Sequence, residues 1–182
     1  FNILLVSSAF VFILLALAVI LGSFFYSRLI IYSHRQAITK SPKEYGMAYE
    51  DVEFESSDGL KIRGWFIQGP SRAAVIISHP WTFNRHGFDP KNQGLLKLFR
   101  IKVDMLLTAK ALNQAGYSVL MFDFRNHGES GSGITAIGLN EVLDAEGAIN
   151  YLKSRSDIDP KRIGLVGFCM GANAFMALIV II

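Results

Sequence analysis

Cysteine occurs once in the 182 residues, at Cys169. That count excludes a disulfide within the chain and a cysteine-based zinc site. Histidine is sparse as well. His34, His79, His86 and His127 show no H-x-x-x-H spacing, so no metal site is expected. Charge is missing from the whole N-terminal stretch, where no Lys, Arg, Asp or Glu precedes Arg28. Outside that stretch no low-complexity tract or internal repeat is visible.

Residues 3–31 form a near-continuous apolar run. A helix needs about 20 such residues to cross a bilayer core. A cleaved signal peptide is the competing reading, but its apolar core is normally about 7–15 residues long and ends at a small-residue site. The run is longer and has no clear site, so a membrane anchor is expected over 1–32. Apolar residues on every face argue against a buried core helix. Acidic residues are absent for longer still, the first being Glu44. Arg28, Arg35, Lys40 and Lys43 all precede it. Taking these four from the 18 Lys and Arg leaves 14 against 15 Asp and Glu in the rest of the chain. The net charge of +3 therefore reflects a basic juxtamembrane linker, assigned to 33–48, suited to anionic lipid headgroups. It gives no reason to expect nucleic acid. Membrane side stays open, because the chain begins at Phe1 without an initiator Met.

Beyond the linker the patterning changes. Val52-Glu53-Phe54-Glu55 and Leu60 to Phe66 alternate apolar and polar around Asp58-Gly59, as an antiparallel hairpin does. Residues 73–78, 117–124 and 163–166 are short runs expected as strands buried on both faces. Between them lie helix-like stretches at 104–114 and 141–154, the latter with Val142, Ala145, Ile149 and Leu152 at helical spacing. Helices alternating with apolar strands indicate right-handed βαβ units on a parallel sheet. Residues 84–102, with Leu95, Leu96, Leu98, Phe99 and Ile101 among Lys and Arg, read as a small lid, a membrane-facing loop or a packed surface helix.

Gly167-Phe168-Cys169-Met170-Gly171 follows the last of these strands and opens the apolar run 172–178. This is the strand-turn-helix setting of G-x-nucleophile-x-G, with Cys in place of the usual Ser. The turn is tight, and a Cβ at either glycine is expected to collide with the adjoining strand or helix. The central side chain then sits at a helix N-terminus, where backbone N–H groups favour a thiolate and a developing oxyanion. A buried structural cysteine at a strand end is the alternative for the pentapeptide alone.

Three segments share one position. His79-Pro80-Trp81, Asp123 to Ser130 and the Cys169 pentapeptide each follow an apolar strand. In open α/β sheets, sites lie at such carboxyl ends. In this order they resemble the α/β-hydrolase family over about 49–178. The Cys-containing elbow is similar to that of dienelactone hydrolases, and membrane-anchored bacterial hydrolases of this superfamily look closest overall. The resemblance implies an α/β fold, the first part of a mostly parallel sheet over 49–182, behind an N-terminal transmembrane helix. It also implies a small-molecule acyl substrate (ester, thioester or lactone), Cys169 as nucleophile, and no cofactor. The Met170 backbone N–H would be one oxyanion donor and that of Trp81 or Thr82 the second, with Pro80 departing from the family's usual Gly. His79, Asp123, Arg125 and His127 would brace the loops rather than act as base or acid. The family order places acid and histidine after the nucleophile, yet 170–182 contains no Asp, Glu or His. The chain is therefore expected to be part of a longer protein or the product of a disrupted gene, scarcely active alone. It is also expected to leave its last strand with an open edge. An inactive scaffold, or a peptidase or acyltransferase on the same fold, are the alternatives.

Overall fold

A computed structural model describes residues 2–32, 35–88 and 103–181. From residue 89 onward the anticipated lid or surface helix lies outside the described residues, as does His34. Helix α1 (Asn2–Ile31) is followed by a 3-10 turn at Pro42–Tyr45. Strands β1 (Glu50–Glu55), β2 (Lys61–Ile67) and β3 (Ala74–Ser78) come next, then two short strands, β4 (Gly87–Phe88) and β5 (Val103–Asp104). Helix α2 (Met105–Gln114), β6 (Ser118–Phe122), α3 (Glu141–Ser154), β7 (Ile163–Gly167) and α4 (Met170–Ile181) complete the order.

Five strands form one sheet in the order β1-β2-β6-β3-β7, and β4 pairs β5 separately. β1 and β2 are the expected hairpin, with Val52 opposite Gly64 and Phe54 opposite Ile62. β2 runs antiparallel to β6, whereas β3 is parallel to both β6 and β7. Every residue of β3 and β6 is buried, as their unalternating apolar sequences predict. Their side chains still divide by the period of two that a strand imposes. Ala74, Ile76, Leu120 and Phe122 join the core under α3 and α4. Val75, Ile77, Val119 and Met121 join a second core with Met105, Leu106 and Ala109 of α2. The sheet is thus covered on both faces. Each fully buried Ile, Leu or Phe contributes roughly 1.5–3 kcal/mol. Strand β7 ends the sheet order and is only half-buried, which matches the expected open edge.

Two features depart from the linear reading. In α3 the buried set includes Glu141 and Asp144 with Ala145, Ala148 and Leu152, while Val142 and Ile149 are only partly covered. The acidic pair can be buried because both are bonded. Glu141 accepts the N–H groups of Ala136 (3.0 Å) and Gly138 (2.6 Å), and Asp144 holds Arg125. The linker, in turn, is packed against the body. Met47 is buried and Ile38 and Tyr45 lie against the second core. Asn84 Nδ2 donates to the carbonyls of Gln36 and Ala37, both at 3.2 Å.

Candidate active site

The carboxyl ends of β3, β6 and β7 share one edge of the sheet, where Ser78 is level with both Phe122 and Gly167. The three singled-out segments leave from this edge.

Cys169 occupies the junction of β7 and α4 with φ +51°. Few non-glycine residues adopt this conformation, and it costs of order 1–3 kcal/mol. The side chain is exposed, and its Sγ has no hydrogen bond among the described residues. Both flanking glycines are required by space. A Cβ on Gly167 would lie 2.7 Å from the backbone N and Cα of Ala172. One on Gly171 would lie 2.8 Å from Ser78 Cβ and 3.0 Å from its carbonyl oxygen. Gly171→Ala is therefore expected to destabilise the body by roughly 1–3 kcal/mol, visible as a lowered Tm. An unchanged Tm would mean that the turn is not held against β3. Met170 opens α4, so its N–H has no carbonyl partner within the helix.

His79 is fully buried. Its Nδ1–H donates to the Pro80 carbonyl (2.8 Å), and Nε2 accepts the Phe124 N–H (3.1 Å). Its ring packs on Phe124 and on His127, with centroids 5.2 and 5.1 Å apart. His127 repeats the pattern, donating through Nδ1 to the Arg125 carbonyl (2.8 Å) and accepting the Thr82 N–H at Nε2 (3.3 Å). Burial, with His127 nearby, holds the His79 imidazole well below its ordinary value. Burial also lowers His127. Each is a neutral ring with both nitrogens committed. Because folded His79 refuses a proton that the unfolded chain accepts, its contribution to stability is complete above the unfolded value. It is lost as pH falls through it, at up to about 1.4 kcal/mol per pH unit below about 6.5. Urea unfolding in detergent between about pH 7 and about pH 5 checks this. Falling stability is expected, with a shallower slope in His79→Gln. Equal slopes would contradict it.

Thr82, at φ +67°, turns its N–H toward His127. The Trp81 N–H has no acceptor among the described residues. Trp81 Nε1 and Ser78 Oγ are also buried there without hydrogen-bond partners. Unspent buried polar groups typically cost about 1–3 kcal/mol each. Of these, Ser78 lies against Gly171 of the turn that carries Cys169.

Asp123 is fully buried and organises the loop after β6. Its carboxylate accepts the N–H groups of Arg85 (2.7 Å) and Glu129 (3.0 Å) and pairs with the Arg85 guanidinium. Arg125 is bonded through Nε and Nη2 to Asp144 and through Nη1 and Nη2 to Asp58. Arg85 was not singled out from the sequence. It lies 4.3 Å from the Trp65 ring centroid, bridges Asp123 and Glu129, and is 3% exposed. No local spacing signals it, since its carboxylate partners are 38 or more residues away. Among the described residues no group of three or more His, Cys, Asp or Glu could hold a metal ion.

Residues 99–181 match the profile of the Dienelactone hydrolase family. The chain is similar to the uncharacterized protein YfhR of Escherichia coli O157:H7, with 32% identity over 133 residues, covering 71% of this chain and 41% of that protein. It is 31% identical over 144 residues to the thiohydrolase aneE of Aspergillus aculeatus, covering 77% of this chain and 40% of that one. Among solved structures, the Pyrococcus furiosus esterase Pf2001 superposes with a TM-score of 0.65 at 32% identity, over 81% of this chain and 50% of the esterase. The chain thus spans half or less of the length of these relatives.

Proposed function

The chain belongs to the α/β-hydrolase superfamily and is dienelactone-hydrolase-like, and from that premise we propose that the whole protein hydrolyses an ester, thioester or lactone through Cys169. The observation that carries this reading is the exposed Cys169 held at φ +51° between a strand and a helix N-terminus. In the proposed reaction the thiolate attacks the acyl carbonyl and forms a C–S bond. The bond to the leaving alcohol or thiol breaks, and the departing group takes a proton. Water then cleaves the acyl-enzyme, releasing the carboxylic acid and restoring the thiol.

The N–H groups of Met170 and Trp81 are the proposed oxyanion donors. Thr82 is set aside because its N–H is engaged by His127. Removing one such donor typically costs about 3–4 kcal/mol of barrier. His79 and His127 are not bases in this reading, since both ring nitrogens of each are committed. The reading assigns the general base and its acid partner to the part of the relatives' length that this chain does not span. The name of the thiohydrolase relative favours thioesters within the substrate class.

We further propose that α1 anchors the protein. Among the described residues one helix, Val6–Ile31, is long and apolar enough to cross a membrane, a property shared with signal sequences. Its last carbonyl, on Ile31, accepts bonds from Asn126 Nδ2 and Thr135 N–H. Cleavage of the helix would forfeit both, which favours the anchor. The test is hydrolysis by the whole protein in membrane fractions, assayed on a short-chain ester, thioester and lactone. Turnover of at least one is expected. Turnover of none would favour the inactive scaffold, and exchange of acyl groups onto an alcohol in preference to water would favour an acyltransferase.

A further inference from the structure

The end of α1 and the Cys169 turn are joined by one short loop. Ile31 O accepts the Thr135 N–H at 3.2 Å and Asn126 Nδ2 at 3.1 Å. Two residues past Thr135, the Ile137 carbonyl accepts Asn173 Nδ2 at 3.1 Å. Asn173 stands on the first turn of α4, and its own N–H bonds the Cys169 carbonyl. The chain leaving α1 clamps the same region, since Arg35 donates to the carbonyl of Ser130 and to Ser132 Oγ. If α1 spans a bilayer, its last residue lies at one membrane surface. Everything bonded to that residue lies there too, within a hydrogen bond's length.

The composition of this loop fits that position. Residues 131–140 carry no charge. Ile134 and Leu139 are 53% and 75% exposed, beside a helix whose side chains are exposed over residues 6–29. The loop is braced rather than slack. Glu141 accepts the N–H groups of Ala136 and Gly138, and Asn140 Nδ2 donates to the Ile134 carbonyl. Arg28, over the Tyr32 ring at 5.0 Å, supplies the cation and aromatic that mark a headgroup zone. A fixed, uncharged, apolar-tipped loop continuous with a membrane helix matches the apolar face that interfacial segments bury at the headgroup boundary.

We infer that the loop 131–140 inserts at the bilayer surface and that the Cys169 site takes its acyl substrate, a long-chain ester or thioester, directly from the membrane. The substrate half of this inference rests on the proposed hydrolase reading; the membrane half does not. The test uses the whole protein in phosphatidylcholine vesicles containing phosphatidylglycerol. In a Cys169→Ala background, Leu139→Cys is labelled with an environment-sensitive fluorophore, and Lys161→Cys, before β7 at the opposite strand ends, is the control. Lipid carrying a nitroxide high on its acyl chain is expected to quench the Leu139 label by about two-fold or more and the control little. Equal quenching would overturn membrane contact. With Cys169 intact, the double variant Ile134→Ser, Leu139→Ser is expected to lose about ten-fold or more in kcat/KM on a bilayer-held long-chain thioester. Its turnover of a short, water-soluble thioester should be unchanged. Equal effects on both, or on neither, would overturn delivery from the membrane. Failure of the parent protein on both thioesters would overturn the substrate half and the hydrolase reading together, leaving the quenching result to decide membrane contact by itself.

Discussion

Cys169→Ala is expected to lower hydrolysis by the whole protein by about 10⁴-fold or more while leaving the body folded, because removal of a nucleophile disables every step that depends on it. The side chain is exposed and without hydrogen bonds among the described residues, so truncation forfeits little packing. A paired substitution separates chemistry from strain. At φ +51° a Cβ is disfavoured and glycine is not. Cys169→Gly is therefore expected to be as inactive as Cys169→Ala yet more stable than the parent by about 1 kcal/mol. Strain relieved at the cost of activity is the signature of a turn shaped to present a side chain. A structural cysteine would give the reverse, with retained activity and lost stability. Thermal unfolding and initial rates on the same samples decide between them.

Arg125→Ala is expected to cost about 3–5 kcal/mol, the scale of leaving one partner of a buried ion pair uncompensated. Asp144 is fully buried on α3 and accepts bonds from Arg125 N, Nε and Nη2 at 2.8–3.0 Å. Burial pushes its carboxyl up to about 6, against the opposing pull of Arg125. Without the Arg125 side chain only the backbone N–H of residue 125 still opposes the desolvation of the carboxylate, which then holds a proton to still higher pH. A carboxyl whose folded value is raised contributes stability at low pH that is lost as pH rises through that value. The loss caused by Arg125→Ala should therefore be smaller at about pH 5 than at about pH 8. The double variant Arg125→Ala, Asp144→Ala should recover part of it. A loss that is independent of pH and additive with Asp144→Ala would mean that the pair is not the connection between the β6 loop and α3.

Much of this architecture is legible in the chain. The strands at 74–78 and 118–122 announce themselves because burial on both faces removes alternation. The turn at 167–171 does so because sterics permit only glycine on either side of Cys169. What escaped reading depends on partners far along the chain. Arg85 is defined by Asp123 and Glu129, and the burial of Asp144 by Arg125. Without those partners, α3 reads as an ordinary amphipathic helix with Val142, Ala145, Ile149 and Leu152 at helical spacing. The linker reads as a basic segment suited to lipid headgroups, and nothing local announces that its backbone carbonyls at Gln36 and Ala37 are held by Asn84. Thr82 and Trp81 are equivalent candidates in sequence. Only the fold reveals that His127 takes the Thr82 N–H.

The central claim is that an acyl group passes through Cys169. The most direct measurement is the intact mass of the whole protein, purified in detergent, after brief exposure to a reactive β-lactone, followed by peptide mapping. The account predicts a gain of one acyl unit, located on the peptide containing Cys169 and absent from Cys169→Ala. A gain located on any other residue, or turnover of the lactone with no acylated Cys169 trapped and undiminished rates in Cys169→Ala, would contradict it.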